Sequence, residues 1–131
     1  MMIEKKIRLV PKKATDFDYT EQELMQAPDG YFEEIFVLDV LESSKTEDIF
    51  EKICSKVRKG GSITIQGYEF VDMCRRIVYG EIPDEHAKIF LRSSNNISSV
   101  SSLQSKFSSM GWNVRLAGCL DGRYKMEVIR P

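Results

Sequence analysis

The sequence predicts an α/β fold in which a mostly parallel sheet of about five strands, flanked by helices, ends in an antiparallel C-terminal hairpin. The order strand, amphipathic helix, Gly-Gly and strand, running from "EEIFVLDV" to "SITIQG", indicates a right-handed βαβ unit with parallel strands. The tail "WNVRLAGCLDGRYKMEVIRP" is two alternating runs joined by Asp121-Gly122, a dipeptide typical of hairpins. Because 131 residues suffice for one core, we predict a single domain over residues 1–131.

Short strands and a capped helix are predicted in the first part of the chain. "KIRLVP" alternates polar and apolar residues and ends at Pro11, which predicts a first strand. Thr20, with Glu23 three residues on, predicts a capping box for a helical turn that stops at Pro28-Asp29-Gly30. "EEIFVLDV" is a nearly continuous apolar run, so it predicts a strand buried on both faces.

The next helix is predicted from apolar residues at helical spacing, which are Ile49, Phe50, Ile53, Cys54 and Val57. Ser43, Ser44 or Thr46 could cap its start. Gly60-Gly61 is predicted to end it after a basic last turn.

Two or three further helices are predicted before the hairpin. "YEFVDMCRRIVYG" has an apolar side and ends at Gly80, and "SVSSLQSKFSSMG" has a regular apolar stripe and ends at Gly111. Residues 81–98 between them predict a long connection with a short helical piece around Asp84 to Leu91. A connection of this length usually covers a site or packs against a subunit.

Composition narrows the classes of partner. A net charge of −1 gives no sequence-wide attraction to nucleic acid or to anionic lipid, so neither is predicted as a partner. No apolar run approaches the roughly 18 residues that span a bilayer, and "MMIEKKIRLV" lacks the features of a signal peptide, which favours a cytoplasmic protein. A basic patch of Lys12, Lys13, Lys56, Arg58 and Lys59 is conceivable, although a solvated face is the usual interpretation of such residues.

The three cysteines predict no metal site. Cys54, Cys74 and Cys119 are odd in number, far apart and embedded in apolar stretches. We therefore expect reduced, buried thiols and neither zinc ligands nor disulfides.

The order of these segments resembles the C-terminal part of class I S-adenosylmethionine-dependent methyltransferases. "YFEEIFVLDVLESS" is similar to the family's segment ending in a "VLEH"-type sequence, and "KVRKGGSITI" is similar to its "LKPGG" turn and next strand. "SLQSKFSSMGWNVRLAG" resembles the helix and Gly-aromatic step before the final hairpin, and "VYGEIPDEHAKIF" resembles a loop of short members. The resemblance covers residues 29–131 and implies a shortened Rossmann-like methyltransferase fold.

The part that holds the cofactor in that family is altered here. The family uses a glycine-rich turn after the first strand, since glycines let the backbone approach the ligand, and an acid closing the second strand. In this chain Pro11, Lys12 and Lys13 follow the first strand, and the segment before "EEIFVLDV" is too short for the family's two further βα units. We therefore expect an exposed sheet edge at the first strand, which invites another chain.

Two functional hypotheses follow, and they leave open whether the chain is an enzyme. The first is a degenerate methyltransferase-like domain that binds no cofactor tightly and acts as a homodimer or with a partner subunit. The second is an active S-adenosylmethionine-dependent methyltransferase, acting on a sugar or another small acceptor, whose cofactor site is completed by a second subunit. A nucleotide-binding module without catalysis is a third alternative.

Four residues form the candidate site. Asp39 and Glu42 stand at the carboxyl end of the predicted central strand, where open α/β sheets place ligands, and the resemblance implies that they bind cofactor. The structural alternative makes Glu42 a helix N-terminal acid and Asp39 a tolerated pleat position. His86, the only histidine, as a general base, and Tyr68 are the candidate catalytic residues around the acceptor. A surface histidine and a half-buried aromatic cover are the alternatives for them.

Overall fold

The computed structural model of the chain describes residues 6–12, 18–43, 48–93, 100–120 and 123–131. Its strands are β1 (Lys6–Leu9), β2 (Asp18–Tyr19), β3 (Phe32–Leu38), β4 (Val57–Tyr68), β5 (Asn113–Leu120) and β6 (Arg123–Ile129). Its helices are α1 (Glu21–Gln26), α2 (Val40–Ser43), α3 (Ile49–Lys56), α4 (Phe70–Val78), α5 (Asp84–Ser93) and α6 (Val100–Ser109).

The strands form one sheet in the order β2-β1-β3-β4-β6-β5. The first four strands in this order are parallel to one another, whereas β6 is antiparallel to β4 and to β5. This arrangement confirms the predicted α/β class and the C-terminal hairpin, whose connecting Asp121-Gly122 lies outside the described residues. It also confirms the parallel pairing of β3 with β4, which the βαβ pattern predicted.

The strand β2 was not predicted, and it changes where the sheet ends. It pairs with β1 through Arg8 opposite Asp18 and Leu9 opposite Tyr19. The expectation that β1 forms the exposed edge is therefore wrong, because the edge strands are β2 and β5. Two residues are too few for a strand pattern to appear in the sequence.

One face of the sheet carries the hydrophobic core. The strands contribute Ile7, Leu9, Ile35, Val37, Ile63, Ile65, Tyr124, Met126 and Val128 to it, and α1, α2, α3 and α6 contribute Leu24, Val40, Leu41, Ile49, Phe50, Ile53, Leu103 and Phe107. By alternation, the opposite face, called the second face below, carries Arg8, Phe36, Thr64, Gln66, Leu116 and Lys125. Phe36 and Leu38 on this face are only half buried, so β3 is fully buried on one face and not on both.

The Gly-Gly pair has a different role from the predicted helix stop. Helix α3 ends at Lys56, and β4 begins at once, with Val57 paired to Phe32 and Ser62 paired to Glu34. Residues 58–61 thus form a bulge opposite a single residue of β3. Gly60 has a φ of 81°, and a Cβ on Gly61 would lie 2.6 Å from the backbone oxygen of Glu33. The glycines therefore serve this bulge.

Most predicted helix ends are confirmed. In the capping box of α1 the Glu23 N–H donates to Thr20 Oγ1 (3.4 Å) and the Thr20 N–H donates to Glu23 Oε1 (3.3 Å). Gly80 and Gly111, which follow α4 and α6, have φ values of 69° and 81°.

The predicted caps of α3 are not confirmed. Ser43 lies in α2, Ser44 and Thr46 lie outside the described residues, and the N-cap is Asp48, without a side-chain hydrogen bond to the helix.

The thiols differ in exposure. Cys54 is buried, Cys74 is half buried and Cys119 is exposed, so the expectation of buried thiols is wrong for Cys119. In the described ranges no group of three or more His, Cys, Asp or Glu side chains could hold a metal ion. No helix among the described residues is both long and apolar enough to span a membrane.

Candidate functional site

The carboxyl ends of the parallel strands lie at one edge of the sheet, and the hairpin reaches the same edge. Asp39 follows β3, and Tyr68 ends β4. Because β6 runs antiparallel to β4, its first residue, Arg123, is paired with Tyr68. Two predicted site residues are thus brought together with an arginine that is distant in the sequence.

Asp39, Tyr68 and Arg123 form the arginine cluster. Nη2 of Arg123 donates to Oδ1 of Asp39 over 2.7 Å, and the guanidinium carbon lies 4.7 Å from the centroid of the Tyr68 ring. Partial burial lowers the pKa of Arg123, but the hydrogen bond and the negative charge of Asp39 outweigh it, so the pKa is raised. The arginine therefore stays charged and is held on two sides.

The backbone of Asp39 shows why an aspartate stands there. Its φ is 57°, in the left-handed region that Asp tolerates better than most residues. Its N–H donates to the oxygen of Gln66 over 3.0 Å, which keeps the residue attached to β4. One alternative placed Asp39 at a pleat position of the strand. Asp39 instead follows the strand and turns the chain from β3 into α2.

His86 and Glu42, the other two predicted site residues, lie on helices α5 and α2. His86 is exposed on α5, one turn before Phe90, whose ring lies 5.7 Å from that of Tyr68. Among the residues that the structure describes, His86 makes no hydrogen bond or ion pair. Glu42 lies in α2, but its side chain is outside the described part, so its role stays a prediction.

Arg123 is the site residue that the sequence did not reveal. It follows the hairpin dipeptide directly, and nothing local distinguishes it from Arg115 or Arg130. Only the register of the hairpin against β4 places it beside Tyr68 and Asp39.

A cavity of about 460 Å³ adjoins the cluster on the second face. Its lining residues are Gln66, Leu116, Gly118, Cys119, Arg123, Tyr124 and Lys125. This volume lies within the range of small-molecule sites.

Two residues of the basic patch considered from the sequence, Lys56 and Arg58, form hydrogen bonds or ion pairs. The buried Lys56 donates from Nζ to the oxygen of Ala27 (2.6 Å) and to Oδ1 of Asp29 (3.0 Å). Arg58 lies 2.6 Å from a carboxylate oxygen of Glu33. Lys13 lies outside the described residues. Lys56 and Arg58 are therefore each paired with a carboxylate among the described residues.

The residues near β1 and β2 do not fit S-adenosylmethionine, the cofactor that the resemblance implies. Residues 10–17 join two parallel strands without a glycine and are fewer than the dozen or so that a crossover needs. The N–H of Val10 already donates to the oxygen of Tyr19 (3.0 Å). On β2, the carboxylate of Asp18 is fully buried and accepts two hydrogen bonds from Arg8, of 2.7 and 3.0 Å.

No family model and no curated protein matches the sequence, but solved structures match the fold. A chain from the complex of the Haloferax volcanii Trm112 methyltransferase activator with a methyltransferase has a TM-score of 0.59 at 12% identity, covering 91% of this chain and 64% of that one. A Mesorhizobium loti S-adenosylmethionine-dependent methyltransferase has a TM-score of 0.57 at 9% identity, covering 89% of this chain and 72% of that one. The DhpI-SAM-HEP complex has a TM-score of 0.55 at 16% identity, covering 88% of this chain and 59% of that one.

These likenesses show the fold alone. The chain has a shortened methyltransferase-like fold, which confirms the resemblance seen in the sequence. It spans less than two thirds of the Haloferax and DhpI chains.

Proposed function

We propose that the chain is a degenerate methyltransferase-like domain that binds no S-adenosylmethionine tightly by itself and acts by associating with a second copy or a partner subunit. One observation carries this proposal: arginines occupy the carboxylates at the strand ends. Arg8 holds Asp18, and Arg123 holds Asp39. A ligand with hydroxyl groups would have to compete with these arginines for the two carboxylates.

That competition is unfavourable at Asp18. This carboxylate is fully buried, although the Arg8 side chain is 41% exposed, so losing the arginine would leave a buried charge without its partner. A competing ligand would have to replace both hydrogen bonds from Arg8 to Asp18. The expected affinity of the isolated chain for the cofactor is correspondingly weak.

Association with another chain is supported by the sheet edges and by one comparison. Among the described residues β5 pairs only with β6, so the other side of this eight-residue strand is unpaired. The Haloferax structure contains a methyltransferase activator. An edge strand and a precedent for a bound activator both favour a function through association.

Calorimetric titration with S-adenosylmethionine and S-adenosylhomocysteine tests the proposal. We expect no saturable heat with the chain at tens of micromolar. Micromolar binding by the isolated chain would contradict the proposal. In that case Asp39→Asn, which removes the charge but keeps the size, would report whether this carboxylate contributes to the cofactor site.

A second candidate is an active methyltransferase, with a sugar or another small acceptor, whose cofactor site is completed by a second subunit. It is favoured by the accessibility of the arginine cluster, because Asp39 and Tyr68 are 37% and 40% exposed at the ligand-binding edge of the sheet. In this hypothesis His86 and Tyr68 surround the acceptor and Asp39 and Glu42 face the cofactor. Cofactor binding would then be saturable and would disappear on dilution to monomer. No binding at any protein concentration would exclude it.

A further inference from the structure

The cavity on the second face combines two cationic side chains with an apolar wall. Arg123 and Lys125 lie two positions apart on β6, so both point to this face. Leu116, which is 47% exposed, forms an apolar part of the lining. None of the seven lining residues is acidic.

Gly118 forms the floor of this cavity. Lys125 pairs with Gln66 on one side and with Gly118 on the other, so the three residues stand in one row across three strands. A Cβ on Gly118 would have no atom within 4 Å. The cavity is therefore open above Gly118, which has no side chain of its own.

The two cations differ in how they are held. Arg123 is fixed by Asp39 and by Tyr68, whose side chains both hydrogen-bond to it, and the five N–H groups of a guanidinium leave further donors for a ligand. Lys125 is exposed and makes no ion pair with any carboxylate in the part of the chain that the structure describes. The nearest acid along β6, Glu127, lies 3.2 Å from Arg115. Lys125 thus adds a positive charge to the cavity lining beyond the pair formed by Arg123 and Asp39.

We propose that this cavity binds a small organic anion, a carboxylate or a phosphate carried on an apolar group. The ammonium of Lys125 and the guanidinium of Arg123 would donate to the oxyanion, which charged donors bind best. The apolar group would pack over Gly118 against Leu116. The site shares Arg123 with the arginine cluster but lies on β4, β5 and β6, away from Arg8 and Asp18, so it goes beyond the proposed function and its test does not use the cofactor.

A titration followed by amide chemical shifts tests the site. The probes are phenyl phosphate and benzoate, with inorganic phosphate lacking the apolar group and benzyl alcohol lacking the charge. We expect saturable shifts centred on Gly118 and Lys125 with phenyl phosphate or benzoate, and weaker binding of the two control compounds. Which of the two organic anions binds more tightly distinguishes phosphate from carboxylate recognition.

Two charge variants distinguish binding in the cavity from a general attraction of anions to the hairpin. Lys125→Gln and Arg115→Gln each remove one positive charge from the hairpin, but only Lys125 lines the cavity. Loss of a charged hydrogen bond should weaken probe binding about tenfold in Lys125→Gln, whereas Arg115→Gln should stay close to the unmodified chain. Equal weakening in both variants would overturn the proposal, as would the absence of saturable binding to the unmodified chain.

Gly118→Val tests the floor of the cavity. Valine suits a strand, and its side chain would enter open space, so the variant should fold and place a side chain over the cavity floor. We expect it to lose probe binding while keeping its amide spectrum outside the hairpin. Unchanged binding in a folded Gly118→Val variant would place the probe elsewhere and would also overturn the proposal.

Discussion

Asp39 and Arg123 are 84 residues apart in the sequence and are joined by a hydrogen bond of 2.7 Å. Both side chains are more than a third exposed, so solvent screens their attraction and the pair contributes little to stability. The pair instead fixes the positions of two segments. The pair attaches the start of the C-terminal hairpin to the turn after β3, and it occupies the carboxylate from which a ligand site was expected.

The contribution of this pair can be measured by a double-mutant cycle. We expect Asp39→Asn and Arg123→Gln to be coupled by about 0.5–1 kcal/mol in the free energy of unfolding. The coupling should decrease in 1 M salt, because the charges are partly exposed. Urea denaturation of the four proteins gives the value. Strict additivity in low salt would show that the hydrogen bond contributes nothing measurable.

Asp72 gives the clearest pH dependence. Hydrogen bonds from Arg75 and Arg76 lower its pKa to about 2. Since the folded pKa lies below the unfolded value of about 3.9, the stabilisation is complete above that value and is lost as the pH falls towards 2. Asp72→Asn should therefore destabilise the protein at pH 5, and the difference should close between pH 4 and 2.

Urea midpoints of both proteins at pH 5, 4, 3 and 2 would show this closing difference. In a background of Arg75→Gln and Arg76→Gln, the substitution of Asp72 should no longer have a pH-dependent effect, because the two donors that lower the pKa are gone. A difference that persists unchanged to pH 2 would contradict the assignment.

At the scale of elements, the carboxylate of Glu69 joins the starts of two helices. Its Oε2 accepts from the N–H of Asp72 in α4 (2.7 Å), and its Oε1 accepts from the N–H of Val100 at the start of α6 (3.2 Å). The residue is buried, and helix N-termini favour a negative charge. One side chain thus satisfies two helix-terminal donors and fixes α4 relative to α6.

We expect Glu69→Ala to lower the free energy of unfolding by about 1–2 kcal/mol, because two partly buried N–H groups lose their acceptor. Glu69→Gln should cost less, since its amide oxygen can still accept one bond. Hydrogen exchange at Val100 should become faster in both variants. Glu85→Gln is the matched control, because Glu85 is an exposed acid in the first turn of α5. An equal effect of Glu85→Gln would refute the bridging role.

At the scale of the whole molecule, the sheet is covered unequally. The buried side chains of α1, α2, α3 and α6 belong to a single core on one face. In the described ranges, the second face combines the half-exposed Phe36 and Leu38 with the buried Asp18 and Thr64. Of the two edge strands, β2 has two residues and β5 has eight. The longer unpaired edge is therefore at the hairpin and not at the first strand, so association of chains is expected there.

Ala117→Lys tests association through β5, because a lysine on an edge strand opposes pairing with another strand. If the chain self-associates, sedimentation velocity should show a larger fraction of monomer in this variant than in the unmodified chain. Val71→Lys on α4 is the control, since Val71 is an exposed apolar residue of a helix and not of an edge strand. Disruption by Val71→Lys alone would place the contact on α4.

Sequence patterns that involve only neighbouring residues predict the structure correctly, whereas a pattern that suits two different structures does not. The capping box at Thr20 and Glu23 and the stops at Gly80 and Gly111 depend on neighbours within a few residues, so the sequence alone revealed them. Gly60-Gly61 was interpreted as a helix stop, because glycine suits both a helix end and a bulge. The pairing of Val57 with Phe32 decides between these structures, and it involves residues from two strands.

Local features of the chain predict the α/β class, the parallel pairing of β3 with β4 and the C-terminal hairpin, because hydrophobic periodicity and turn residues involve only neighbouring residues. Which charges meet depends on the strand registers, which bring distant residues together. Arg8 reaches Asp18, and Arg123 reaches Asp39. The second of these contacts places Asp39, an expected ligand carboxylate, in an ion pair, and the register of β6 leaves Lys125 beside an open cavity.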